Sequence, residues 1–197
     1  MNQRLYRFVR VLLSAFFAVL FPARVDGLEN IPDEGGFILC CNHLSNRDPF
    51  YISAPCKKRC FHFMAKAELF RWKPVAAFIR AMGGFPVDRG HNDLNAVRTA
   101  LKLVADGHAL ALFPQGTRSR GNVRTPMLSG VSMIALRSHA PVIPAYIGGP
   151  YRLFRRTQLS FGPPVDFSDL GRRVDSETMN AATRRIEDAV WELAKPR

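Results

Sequence analysis

Three short, wholly apolar runs recur along this chain, each bounded by turn residues: Gly35–Cys41 (GGFILCC), Ala109–Pro114 (ALALFP) and Pro141–Ile147 (PVIPAYI). Runs of this length without polar alternation fit strands buried on both faces, the kind found in parallel sheets. Weaker strand candidates are 62–65 (HFMA), 85–87 (FPV) and 158–162 (QLSFG). Between them lie stretches with helical signals: Pro49–Ala54, Glu68–Met82, Leu94–Asp106, Gly130–Ser138 and Glu177–Ala194. In the stretch from Leu94, the residues Leu94, Val97, Leu101 and Val104 recur at three and four, with Asn92 or Asp93 in place to cap. Strand–helix alternation of this kind predicts a single α/β domain over residues 25–197, with a mostly parallel central sheet flanked by helices. Working residues in such sheets collect on loops at the carboxyl ends of the strands. The chain is 47% hydrophobic and 22% charged, which excludes disorder, and it carries neither internal repeats nor a linker that would split the domain.

Residues 1–24 read differently. From Val11 to Ala23 thirteen residues pass without a charge, with Arg10 before and Arg24 after. A helix of that length spans about 20 Å against a hydrocarbon core of about 30 Å, too short to cross comfortably. On a helical wheel Gln3, Arg4, Arg7, Arg10 and Ser14 share one arc, while Leu5, Val9, Leu12, Leu13, Phe16, Val19 and Leu20 take the opposite side. The pattern is that of an interfacial, membrane-docking helix, with arginines on lipid phosphates and the apolar face below the headgroups. A signal peptide is disfavoured because LFPAR offers no clear cleavage site, and a helix buried against its own domain is the plainer rival. Twenty-eight Lys and Arg against sixteen Asp and Glu give a formal charge of +12, which calls for an anionic partner. Nucleic acid is not expected: Lys57-Lys58-Arg59, Arg155-Arg156 and Arg184-Arg185 are scattered, with no recognition-helix, RNP-like or zinc-finger pattern. An anionic membrane surface fits the scatter better, and implies a peripheral or monotopic protein on the cytoplasmic face of the cell membrane.

Four Cys (Cys40, Cys41, Cys56, Cys60) are too few and too clustered for a disulfide scaffold, so a reducing environment is expected. With His43 and His62 nearby, the cluster raises the prospect of a structural zinc site, but Cys56-x3-Cys60 is an unusual spacing. Cys40 and Cys41 should also point to opposite faces of one strand, so buried thiols are the better expectation.

The chemistry-bearing residues follow the strands. After the strand ending at Cys41 come Asn42-His43-Leu44-Ser45-Asn46-Arg47-Asp48-Pro49. Asp48-Pro49 reads as a cap-then-Pro helix start. Across one tight loop the Asp48 carboxylate can also fold back on the His43 imidazole, holding one tautomer and making the other nitrogen a stronger base. No Ser or Cys nucleophile accompanies the pair, which suggests activation of a substrate hydroxyl. Gly83–Arg89 is a short strand ending in an arginine, weak by itself since Asp-Arg after a strand is commonly a surface pair. Phe113-Pro114-Gln115-Gly116-Thr117-Arg118-Ser119-Arg120-Gly121 follows the second apolar run. Gly116 lets backbone N–H groups approach an anion, Thr117 and Ser119 add hydroxyls, and Arg118 supplies a planar fork for phosphate.

Four blocks, NHLSNRD (42–48), GGFPVDRG (83–90), FPQGTRSRG (113–121) and VIPAYI (142–147), resemble in order and spacing the four motifs of the glycerolipid acyltransferase family. The similarity covers residues 25–165, and the helix before the first block also matches the family. The resemblance implies transfer of a fatty acyl group from acyl-CoA or acyl-carrier protein to the hydroxyl of lysophosphatidic acid, giving phosphatidic acid. It gives His43 the role of general base and Asp48 that of its orienting carboxylate. Arg89 and Arg118, with the backbone of Gly116 and Thr117, would hold the glycerol phosphate, and Val142–Pro144 matches the fourth block, which the resemblance ties to packing or acyl binding and which is assigned no chemistry. No metal or tightly bound cofactor is required by that chemistry. One departure stands out: the family commonly has Glu where this chain has Gln115, which can still bond a glycerol hydroxyl or Arg118 but brings no charge. That leaves two alternatives open, another lysolipid acceptor (a lysophospholipid or lyso-aminolipid) or a non-catalytic protein that binds anionic lipid.

Overall fold

The computed structural model describes residues 2–88, 93–119, 123–170 and 174–195. Among these residues seven strands form one sheet: β1 (Ala23–Asp26), β2 (Phe37–Cys41), β3 (Phe61–Lys66), β4 (Gly84–Val87), β5 (Ala109–Leu112), β6 (Val142–Gly148) and β7 (Thr157–Phe161). Their spatial order is β1-β7-β6-β2-β5-β3-β4. Every neighbouring pair is parallel except β6–β7. The three apolar runs of the sequence are β2, β5 and β6, the adjacent central strands, and every residue of β2 and β5 is buried. Among the described residues six α-helices pack around the sheet: α1 (Gln3–Leu20), α2 (Asp48–Ser53), α3 (Lys73–Ala81), α4 (Leu94–Ala105), α5 (Gly130–Ser138) and α6 (Ser176–Glu192).

Strand alternation splits the core into two halves. Leu39 and Cys41 face one side, where Phe17 and Phe21 from the α1 end and Tyr51 and Ile52 of α2 cover the sheet. Ile38 and Cys40 face the other, covered by α4, α5 and α6 through Ala100, Val104, Ile134, Ile186 and Val190. The two adjacent thiols therefore lie on opposite faces. Burial pushes the Cys40 and Cys41 thiols well up and that of Cys56 to about 12, so all three stay protonated. Among the described residues no three His, Cys, Asp or Glu side chains gather as a metal site would require. Gly36, just before β2, is needed for space: a β-carbon there would lie 1.9 Å from the Val104 carbonyl oxygen at the end of α4.

Several local expectations are corrected. β1, which carries Arg24 and Asp26, is a half-exposed edge strand, and the two charges hide its strand signal. The helix expected over Glu68–Met82 is a 3-10 turn (Ala67–Arg71) and then α3, divided at Trp72 by Pro74 in the first helical turn. Asp93 caps α4, its Oδ1 accepting from the Ala96 N–H at 2.9 Å; Asn92 lies outside the described residues.

The α1 helix forms, and its orientation differs from the wheel expectation. It rests on the domain through Tyr6, Leu13 and Phe17 at the seam between its polar and apolar arcs. Arg10 turns inward, its Nη1 donating to the carbonyls of Cys56 (3.0 Å) and Lys57 (2.7 Å) beyond the end of α2, and Ser14 donates to the Ala54 carbonyl. Those carbonyls have no helical partner of their own, and a guanidinium satisfies several at once. Outward lies an apolar stripe of Phe8, Leu12, Phe16 and Val19, bordered by Val11 and the exposed Arg4 and Arg7. Among the described residues no helix is long and apolar enough to cross a membrane.

Candidate active site

β2 and β5 run side by side and in the same direction, so the segments after Cys41 and after Leu112 emerge together at one edge of the sheet. Asn42 continues the sheet with its side chain. Its Oδ1 accepts from the Ile147 N–H at 2.8 Å and its Nδ2 donates to the Ile147 carbonyl at 2.9 Å, tying the end of β2 to β6. This fully buried amide fixes where the next residue, His43, leaves the sheet.

His43 is buried and held on every side but one. Its Nδ1 meets Asp48 Oδ2 at 2.8 Å, and its ring stacks on Phe113 with centroids 4.4 Å apart. Its backbone is clamped by the segment after β5: the N–H donates to Gln115 Oε1 at 2.8 Å, and the carbonyl accepts from the Ser119 N–H at 2.9 Å and the Ser119 hydroxyl at 3.2 Å. Only Nε2 has no partner among the described residues.

Asp48 is fully buried, and it does not cap α2 as the Asp-Pro order suggested. Its Oδ2 accepts from the backbone N–H groups of Leu44 (2.6 Å) and Ser45 (2.9 Å) as well as from His43, so the carboxylate reaches back over its own loop. Its Oδ1 accepts from the Tyr151 hydroxyl at 2.8 Å. Burial and the adjacent Asp48 carboxylate push the Tyr151 hydroxyl far above its ordinary range, so it remains a donor. Tyr151 packs edge-on to Tyr51 and to Phe21 just beyond α1, which joins the pair to the N-terminal helix. Sequence reading missed Tyr151; it sits in an unpatterned loop 103 residues from Asp48, and no local signal marks it.

The other expected residues lie around this pair. Gln115 is buried and spends its oxygen on the His43 backbone, while its Nε2 has no partner among the described residues. Gly116 adopts φ +68°, and its N–H donates to the Phe113 carbonyl at 3.2 Å. Thr117 and Arg118 are exposed at the rim, and their backbone N–H groups make no hydrogen bond within the described residues. β4 is three strands from β2, about 14 Å at usual strand spacing. Arg89, which follows it, lies outside the described residues, as does Arg120. Pro144 of the fourth block is within β6, where its carbonyl accepts from the Gly162 N–H at 2.8 Å.

The site is thus a buried His–Asp pair at the carboxyl ends of parallel strands, beside an exposed loop that carries an arginine. The Acyltransferase model covers residues 22–148. The chain belongs to the Acyltransferase family. The 1-acyl-sn-glycerol-3-phosphate acyltransferase of Bacillus subtilis is 29% identical over 194 residues, covering 96% of each chain. The protein of the same name from Streptococcus pneumoniae is 26% identical over 194 residues, 94% of this chain and 72% of its own. Among solved structures, the 1-acyl-sn-glycerophosphate acyltransferase PlsC of Thermotoga maritima superposes with a TM-score of 0.69 at 26% identity, covering 98% of this chain and 80% of that one. This acyltransferase thus shares both its sequence pattern and its α/β fold with enzymes of the 1-acylglycerol-3-phosphate type.

Proposed function

We propose that this acyltransferase moves a fatty acyl group from acyl-CoA or acyl-carrier protein to the free hydroxyl of 1-acyl-glycerol-3-phosphate, producing phosphatidic acid. The observation that carries the reading is the His43–Asp48 pair, with Nδ1 engaged at 2.8 Å and Nε2 unengaged among the described residues. Nε2 takes the acceptor's hydroxyl proton as that oxygen attacks the thioester carbonyl. The tetrahedral adduct then collapses: the new C–O bond stays, the C–S bond breaks, and the imidazolium returns the proton to the departing thiolate. Asp48 holds the tautomer and stabilises the imidazolium, a role that a carboxylate fixed by three further donors fills well. Arg89, Arg118 and the N–H groups of Thr117 and its neighbours would hold the glycerol phosphate, with Gln115 and Gly116 shaping the loop that presents them.

The acceptor is a lipid, so the enzyme works at a membrane surface. The outward stripe of α1 supports this, as do Trp72, Val75 and Phe78 of the adjoining α3 region, also exposed. With a charge of +12 and these apolar faces, the protein would lie on the cytoplasmic face of an anionic membrane as a peripheral or monotopic enzyme. The test is acyl transfer from long-chain acyl-CoA or acyl-carrier protein to lysophosphatidic acid in mixed micelles. Wild type is expected to turn over and His43→Ala to lose about a thousandfold or more. Transfer only to another lysolipid would move the acceptor and leave the mechanism in place, whereas equal activity in His43→Ala would refute the base.

A further inference from the structure

The turn between β6 and β7 runs Arg152-Leu153-Phe154-Arg155-Arg156, and all five residues are exposed. Leu153 is 58% and Phe154 69% exposed, side by side on a five-residue turn. Phe154 also adopts φ +59°, a left-handed backbone that a bulky L-residue rarely takes. The conformation is held from below, where the Phe154 N–H donates to the Leu20 carbonyl at 2.8 Å and the Arg155 N–H to the Arg152 carbonyl at 3.2 Å. Core packing gains nothing from a phenyl ring presented outward in this way. The guanidinium groups of Arg152, Arg155 and Arg156 have no partner among the described residues, so the turn is an apolar tip with an unneutralised basic rim.

Its position is as informative as its composition. The Leu20 carbonyl that receives Phe154 is the last residue of α1, so the tip adjoins the end of the helix that carries Val11, Phe16 and Val19 outward. Tyr151, immediately before the turn, donates to Asp48. One peptide unit therefore separates the basic, apolar tip from the residue that steadies the catalytic pair.

We infer that the turn Arg152–Arg156 is a second docking element for an anionic phospholipid bilayer. Leu153 and Phe154 enter the boundary between headgroups and acyl chains, and the three arginines engage lipid phosphates. The inference rests on the membrane reading above and adds to it. The α1 stripe alone fixes one line on the membrane and leaves the protein free to roll about it. A second contact beside Tyr151 turns the His43 edge of the sheet toward the surface where a lysolipid acceptor lies.

The experiment is flotation of the full-length protein with vesicles of phosphatidylcholine and phosphatidylglycerol, and with phosphatidylcholine alone. Wild type, Leu153→Ser/Phe154→Ser, Arg152→Gln/Arg155→Gln/Arg156→Gln and the α1 variant Val11→Ser/Phe16→Ser are compared, with folding checked by circular dichroism. Binding of wild type to the anionic vesicles is expected to fall by roughly tenfold or more in the triple arginine variant and in the Leu153/Phe154 variant. In addition, Phe154→Trp adds an indole whose emission shifts to the blue with anionic vesicles, read as the difference from the parent protein; this works even if the serine variant folds poorly. If wild type ignores both vesicles, the membrane reading itself fails. If wild type and both turn variants bind alike while the α1 variant does not, the membrane reading stands and the turn proposal is overturned. Vesicle binding kept by the arginine variant, with only carrier-protein-dependent transfer lost, would also overturn it and assign the turn to an acidic protein donor.

Discussion

Replacing Tyr151 with Phe removes one oxygen and keeps the ring packed against Tyr51 and Phe21. The lost group donates at 2.8 Å to Oδ1 of a fully buried carboxylate, and no other described residue donates to that oxygen. Hydrogen bonds to charged groups contribute about 1.5–3 kcal/mol, so a loss of about 2 kcal/mol in unfolding free energy is expected in urea. Catalysis should suffer less than the pair itself would. Three donors still hold Oδ2, from His43, Leu44 and Ser45, so the carboxylate keeps its place but gains freedom to rotate. A tenfold fall in kcat with KM for the acceptor unchanged corresponds to about 1.4 kcal/mol of lost transition-state stabilisation. Asp48→Asn, by contrast, should cost on the order of 10⁴. The pH dependence of stability is a further readout. The Tyr151 hydroxyl is pushed far up in the folded protein, while in the unfolded chain it ionises near its ordinary value of 10. Below pH 10 both forms keep the proton; above it the unfolded chain loses the proton first, so stability falls as pH rises. Tyr151→Phe should flatten part of that alkaline slope, the rest belonging to the other groups that burial pushes up: Tyr51, to about 12, Tyr6, Tyr146 and the thiols of Cys40, Cys41 and Cys56. Unchanged kcat with reduced stability would make Tyr151 a packing residue, and no change in either would refute the hydrogen bond.

Gln115→Leu strips the acceptor from the buried His43 N–H and should cost about 1–3 kcal/mol in urea unfolding, with a fall in kcat as His43 loosens; full activity would remove Gln115 from the clamp. Gly116→Ala forces a β-carbon into a φ of +68° and to within 2.7 Å of Leu128 Cδ1, for a loss of about 1–2 kcal/mol read by thermal unfolding. Burial and the neighbouring His108 hold His62 down at about 4, whereas in the unfolded chain it titrates near 6.5. Its contribution is therefore present above pH 6.5 and lost as pH falls from there toward 4. His62→Gln should flatten the urea midpoint over that window, and an unaltered slope would refute the assignment.

The parts of this fold legible in the sequence were those whose pattern is local. β2, β5 and β6 announce themselves because both faces of each are buried, leaving no polar residue to blur the run. β1 was not legible, since an edge strand can carry Arg24 and Asp26 and its pairing with β7 is set by a partner more than 130 residues away. The His43–Asp48 pairing was legible because five residues span one loop. The α1 helix was legible as a helix, but not its orientation: a wheel sorts side chains by polarity, and it cannot know that carbonyls beyond α2 would draw Arg10 inward. Tyr151 and the Ser119 clamp were invisible for the same reason, being contacts between distant loops that only the sheet brings together.

The third block shows how one segment can serve two ends. Its first half faces inward: Phe113 stacks on the imidazole, Gln115 receives the His43 N–H, and a few residues on Ser119 returns to the His43 carbonyl. Its turn faces outward, with Thr117 and Arg118 exposed and their N–H groups unspent among the described residues. Gly116 is the pivot, since a left-handed backbone is what lets the chain dive, expose two residues and return. A neutral amide suits the inward half: its oxygen satisfies the backbone donor without placing a second buried carboxylate near Asp48, where two like charges would repel. The His43 ring is thereby held by Asp48 and Phe113 and its backbone by Gln115 and Ser119, groups that do not take part in the proposed proton transfer. Such enclosure is preorganisation, in which the orientation of the base is set during folding and substrate binding need not supply it.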